Sequence, residues 1–168
     1  MARCFLQDSM EEETLRMERY QWSTLNHLQV GRYAEYLVKM EFVLFGSDVY
    51  GGEVDDKGID FVVRTQSQRY YDIQVKSARK LNYIFFRKET FQPRSNLLAA
   101  VVLFEDHELP RPYLIPSLRW TNPDVLFVDR NYQGKKSKPE WGLSLTRSRL
   151  RSLADYAFDR VVPSLDAD

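Results

Sequence analysis

The chain has 168 residues, 24 basic and 24 acidic side chains, and 43% hydrophobic residues, one ordinary domain's worth of chain and enough to bury a core without staples. A single cysteine, Cys4, excludes a disulfide framework and a thiolate zinc cluster, and His27 and His107 are too few and too far apart for a His-rich metal site. No apolar run approaches the ~18 residues of a spanning helix, so a soluble, cytoplasmic protein without membrane association is expected.

Residues 1–23 read as a polar N-terminal arm, and 24–168 as one domain. A helix is predicted from about Leu25 to Phe45, without proline and followed by Gly46. The period then changes to two. Residues 59–65 and 70–77 read as strands joined by the turn-like Gln66-Ser-Gln-Arg69, most simply an antiparallel hairpin. A further strand is predicted over 82–88. The continuous apolar run Leu97–Phe104 suits a strand covered on both faces, which calls for helices on the sheet. Short strands are expected at 113–116, where Pro116 favours an edge, and at 125–128. A last helix is read from Thr146 to Val161, with Leu150, Leu153, Ala154, Ala157 and Val161 as its apolar stripe and Pro163 as its stop.

The balanced charge argues against a generic polycation. Its distribution is uneven, with Asp8, Glu11, Glu12, Glu13 and Glu18 in the arm, and Lys135, Lys136, Lys138, Arg147, Arg149 and Arg151 against Glu140 alone over 131–151. Such asymmetry orients an anionic ligand toward the C-terminal half, although Lys135-Lys-Ser-Lys138 also reads as a solvated loop tip. Trp120, Tyr132 and Trp141 are candidates for base stacking, but such residues more often pack in cores and hairpins.

Three features carry chemistry when taken together. Glu35 lies in line with Leu28 and Phe42 on the first helix, near Gly31 and Val38, where a carboxylate is costly unless paired. The bland alternative is a surface pair with Lys39. Asp55-Asp-Lys-Gly-Ile-Asp60 brings Asp60 to the start of a strand after a glycine, or is simply a turn. Asp72, Gln74 and Lys76 share one face of the next strand, and Ile73 and Val75 the other. A hairpin over 59–77 sets Gln74 and Lys76 across from Asp60. Oxygen ligands of this kind suit a hard cation such as Mg²⁺, and a neighbouring lysine can orient or deprotonate a water for attack on a phosphodiester.

Glu35, Gly58-Ile-Asp60 and Gln74-Val-Lys76 together resemble the PD-(D/E)xK nuclease superfamily, in particular its Asp…Gln-x-Lys branch of Mrr-type and Holliday-junction-resolvase-like proteins. The resemblance covers about residues 24–104. It implies a restriction-endonuclease-like αβββαβ core with a central mixed sheet flanked by helices. It also implies metal ligation by Glu35, Asp60 and Gln74, with Mg²⁺ or Mn²⁺, and water activation by Lys76. The function implied is a metal-dependent endonuclease on DNA, the alternative being a non-catalytic module that keeps the nuclease fold to bind DNA or a protein. Lys135, Lys136, Lys138, Arg147 and Arg151 are then candidate phosphate contacts, and a homodimer is expected if both strands are cut. No proline precedes Asp60, and Gln74 stands where an acid is usual, offering the metal a neutral acceptor in place of a charged one.

Overall fold

The computed structural model describes residues 18–51 and 58–167. Most of the acidic arm and the Asp55-Asp-Lys57 part of the motif lie outside the described residues. The end of the arm does not behave as an arm. Tyr20 and Trp22 are buried in the core, and Trp22–Thr24 forms a 3₁₀ turn, because two stacked aromatics offer too much apolar surface to leave in water.

Helix α1 (His27–Leu44) starts at a capping box in which Asn26 accepts from the Gln29 N–H and the Gln29 side chain accepts from the Asn26 N–H. Gly46, at φ +77°, turns the chain out of it. Among the described residues, β1 (Asp48–Gly51), β2 (Phe61–Arg64), β3 (Tyr70–Ala78), β5 (Leu97–Leu103) and β6 (Arg111–Pro116) form a mixed sheet in the order β1-β2-β3-β5-β6. The pairs β1–β2, β2–β3 and β5–β6 are antiparallel and β3–β5 is parallel. The expected hairpin is present, with Phe61 opposite Ile73, and Pro116 ends an edge strand. This is a mixed α/β fold with a central mixed sheet flanked by helices, as the resemblance implied.

The order αβββαβ is filled differently at one position. The crossover from β3 to β5 carries a strand, β4 (Tyr83–Arg87), where a helix was expected. With β7 (Phe127–Arg130) and β8 (Glu140–Ser144), β4 builds a second sheet in the order β4-β8-β7. The apolar strand β5 is therefore covered by α1 on one face and largely by a sheet on the other. Leu98, Ala100 and Val102 join the core beneath α1, whereas Leu97, Ala99, Val101 and Leu103 join a core with Phe86, Trp120, Phe127 and Leu143. Trp120 is fully buried there, its indole N–H donating to the Gly142 carbonyl at 2.8 Å, which removes it as a stacking platform.

The predicted last helix is broken. It consists of α2 (Leu150–Leu153), a 3₁₀ turn over Ala154–Tyr156, and α3 (Phe158–Ser164). Ala157, at φ −53° and ψ 136°, is extended and bridges to Tyr113. That break re-phases the segment, so Leu153, Phe158, Val162 and Leu165 are buried in place of the predicted stripe, and Pro163 lies inside α3.

Candidate active site

The site is built where the two halves of the β2–β3 hairpin stop matching in length. β3 continues past the point at which β2 begins, so its edge from Val75 onward loses its ladder partner on that side. Asp60 fills the first position of the gap. Its backbone N–H donates to the Ile73 carbonyl at 2.9 Å, and its Oδ2 accepts from the Val75 N–H at 2.6 Å. The carboxylate thus replaces the missing strand and is held at the level of the backbone between Gln74 and Lys76. A charge-assisted bond of this kind is among the stronger ones available to a carboxylate.

Alternation along β3 sends Ile73 and Val75 into the core under α1, and Gln74 and Lys76 to the opposite face. Gln74 is only 8% exposed, and its Oε1 is fully buried with no hydrogen-bond partner. Gly58, at φ +69°, passes directly over it. A Cβ on Gly58 would lie 3.1 Å from Gln74 Nε2 and 3.0 Å from the Thr90 Cβ. Lys76 is half-buried, with its ammonium 5.9 Å from the Phe86 ring centroid and in no ion pair among the described residues. Asp72, next on the same face, is occupied by Arg94 at 2.7 Å.

Glu35 is placed differently. It forms an ion pair at 2.8 Å with Arg32, one turn earlier on α1, and not with Lys39. The buried stripe of α1 is Val30, Ala34, Val38 and Phe42, one residue round from the line that Leu28 suggests, and Leu28 is itself 71% exposed. Glu35 therefore flanks the stripe, with its side chain 23% exposed, on a helix that covers the face opposite Gln74 and Lys76. Lys39 lies with its ammonium 5.1 Å from the ring centroid of Phe61, the residue after Asp60. The structure thus brings Asp60 to the Gln74-Val-Lys76 segment and holds Glu35 in a separate pair. Among the described residues no three His, Cys, Asp or Glu side chains gather as a metal cluster.

The basic candidates are spread along the second half. Lys135, Lys136, Arg147 and Arg151 are exposed, and Lys138 pairs with Glu89 at 2.8 Å, which holds the Glu89 carboxyl below its ordinary range. Tyr132 donates its hydroxyl to Glu140, and Lys88 stands 3.9 Å over the Trp141 ring, so both aromatics are already engaged. Sequence reasoning missed Thr90, which packs on Gly58, and the Arg79-Lys80 pair beyond β3. Only their nearness to the end of the motif strand hinted at the latter.

No family model and no curated protein matches the chain. Among solved structures the fold is similar to that of Archaeoglobus fulgidus Hjc, a Holliday junction resolvase from an archaeal hyperthermophile, with a TM-score of 0.50 and 14% sequence identity over 79% of this chain and 95% of that chain. The likeness is one of fold.

Proposed function

We propose that this chain is a metal-dependent endonuclease that hydrolyses phosphodiester bonds of DNA. The observation that carries the reading is the buried, unpartnered Oε1 of Gln74 beside the fixed carboxylate of Asp60. An unpaired buried acceptor costs about 1–3 kcal/mol, a cost that a ligand meeting it removes. Mg²⁺ or Mn²⁺ fits the donors present, since such ions use one or two carboxylates, neutral oxygens and several waters. The bound ion would supply Lewis-acid polarisation of a phosphoryl oxygen and a more acidic water. Asp60 contributes the anionic ligand, oriented by the Val75 N–H, and Gln74 a neutral one. Lys76, two residues on and on the face of Gln74, orients the attacking water or takes its proton. Glu35 joins this set only by releasing Arg32, so its contribution is the smallest.

Purified protein is expected to cleave DNA with Mg²⁺ or Mn²⁺ and to lose that activity in EDTA. Asp60→Ala should abolish cleavage together with metal binding. Lys76→Ala should abolish cleavage and leave metal binding largely intact, and Glu35→Gln should weaken metal binding mildly. Gln74→Glu should tighten the metal.

A second reading, a non-catalytic nuclease-fold module, draws on the Arg32–Glu35 pair, which occupies the helical carboxylate. Wild-type protein that binds no divalent metal and cuts neither duplex, branched nor single-stranded DNA would establish that reading. Hydrolysis of both strands by one site per chain calls for two copies, and light scattering with and without duplex DNA tests this.

A further inference from the structure

Lys76 also forms one end of a cleft of about 670 Å³ between the start of α1 and the edge strand β4. Its lining is strongly cationic, with Lys76, Arg79, Lys80 and His27 against the single carboxylate of Asp106. That carboxylate is engaged already, since its Oδ1 accepts from the Ser23 N–H at 2.8 Å. His27, Lys76 and Lys80 have no ion-pair partner among the described residues. The Arg79 guanidinium donates to the carbonyls of Leu25 at 2.5 Å, Ser23 at 3.4 Å and Trp22 at 3.5 Å. It is therefore fixed in place, and no carboxylate cancels its charge. Phe85, also lining the cleft, is 47% exposed although it is one of the largest apolar side chains of the sheet.

Fixed, uncompensated positive charge selects an anion, and an exposed aromatic beside it selects a flat partner. The volume falls in the range of about 300–1,000 Å³ that encloses a small ligand. It admits a nucleotide or a short unpaired strand and excludes a duplex. We infer that this cleft binds single-stranded nucleic acid, with phosphates along Lys76, Arg79 and Lys80 and a base stacked on Phe85. The substrate class is then a DNA with an unpaired strand or end, led past Lys76 toward Asp60. The inference rests on the nuclease reading of Lys76, but its test reads binding and not cleavage.

The test uses the full chain in EDTA, with fluorescence anisotropy of a short labelled oligothymidylate and of a blunt duplex of the same length. The oligothymidylate should bind more tightly than the duplex. Phe85→Ala should weaken that binding about tenfold, without changing its salt dependence, and Phe85→Trp should restore it. Lys80→Gln should lower the slope of log affinity against log salt by about 0.7, one phosphate contact's worth on a single strand. Both side chains are exposed, so melting temperatures should stay near wild type. Failure to bind the oligothymidylate, equal binding of the duplex, or wild-type binding by both variants would overturn the inference. Strand binding without cleavage in Mg²⁺ would sustain it and remove the nuclease reading, whereas duplex cleavage indifferent to Lys80 and Phe85 would do the reverse.

Discussion

Gly58 shows how closely the backbone is fitted around the candidate ligands. Its φ of +69° lies in the left-handed region that other L residues enter at a cost of roughly 1–2 kcal/mol. A Cβ there would also press on the Thr90 Cβ at 3.0 Å and the Gln74 amide at 3.1 Å. Gly58→Ala should therefore destabilise the protein by about 1–2 kcal/mol, measured from the denaturation midpoint. It should lower cleavage further than that loss explains, because the side chain that must yield is Gln74. Cleavage equal to wild type after correction for the folded fraction would detach Gln74 from the chemistry. Sequence pattern made Asp60, Gln74 and Lys76 legible because a period of two fixes which strand residues share a face. It misjudged Glu35 because the seven-residue line from Leu28 to Phe42 ignores the i, i+4 row from Val30 to Phe42 that is actually buried. A half-buried carboxylate beside an exposed arginine is a common surface pair, and no pattern distinguishes it from a ligand.

At the scale of elements, the strands that sequence pattern missed are those whose side chains do not alternate cleanly. β8 follows a basic loop and contains Gly142, a residue that usually weakens a strand. Here the glycine is required, since a Cβ would lie 2.0 Å from the Tyr83 hydroxyl that covers it. β1 is a four-residue edge strand and largely exposed. The broken last helix was illegible because one extended residue, Ala157, leaves composition unchanged while shifting every later side chain. The ends of the chain are instead fastened by carboxylates. Asp166 accepts from the Ser67 hydroxyl at 2.6 Å and its N–H at 2.9 Å, tying the region after α3 to the β2–β3 turn. Asp106 does the same for Ser23 before α1. Hydrogen bonds from Ser67 and from Ser23 hold the two carboxyls below the ordinary 3.8. A depressed folded-state pKa gives stability that is present above the unfolded value and lost as pH falls through the folded one. The melting temperature of Asp166→Asn should thus fall below wild type near neutrality, and the gap should close as pH drops below about 3.8. A gap that stays constant with pH would show that the charge contributes nothing.

At the scale of the molecule, two cores share one strand. β5 is buried at every position, and its residues alternate between the core under α1 and the core under the second sheet. Ala99 and Ala100 are both fully buried, one on each side, so neither layer can be withdrawn without exposing β5. This arrangement predicts that the cores unfold as one unit, although their outer elements barely touch in sequence. Trp120 and Trp141 belong to the second core and Trp22 to the first, so Trp22→Phe leaves tryptophan fluorescence as a reporter of the second core alone. In that background Phe42→Ala, which empties a fully buried site in the first core against Phe158 and Phe61, should cost about 3–5 kcal/mol. The fluorescence transition of the second core should move by that full amount and coincide with the loss of helical circular dichroism. If the second core's transition stayed in place while the helical signal melted early, the two halves would be separate folding units. The gap at the end of β2 that holds Asp60 would then be a joint between them. A single transition instead means that the stability of both cores holds Asp60 against Val75, because the strand that carries Val75 is packed directly on β5.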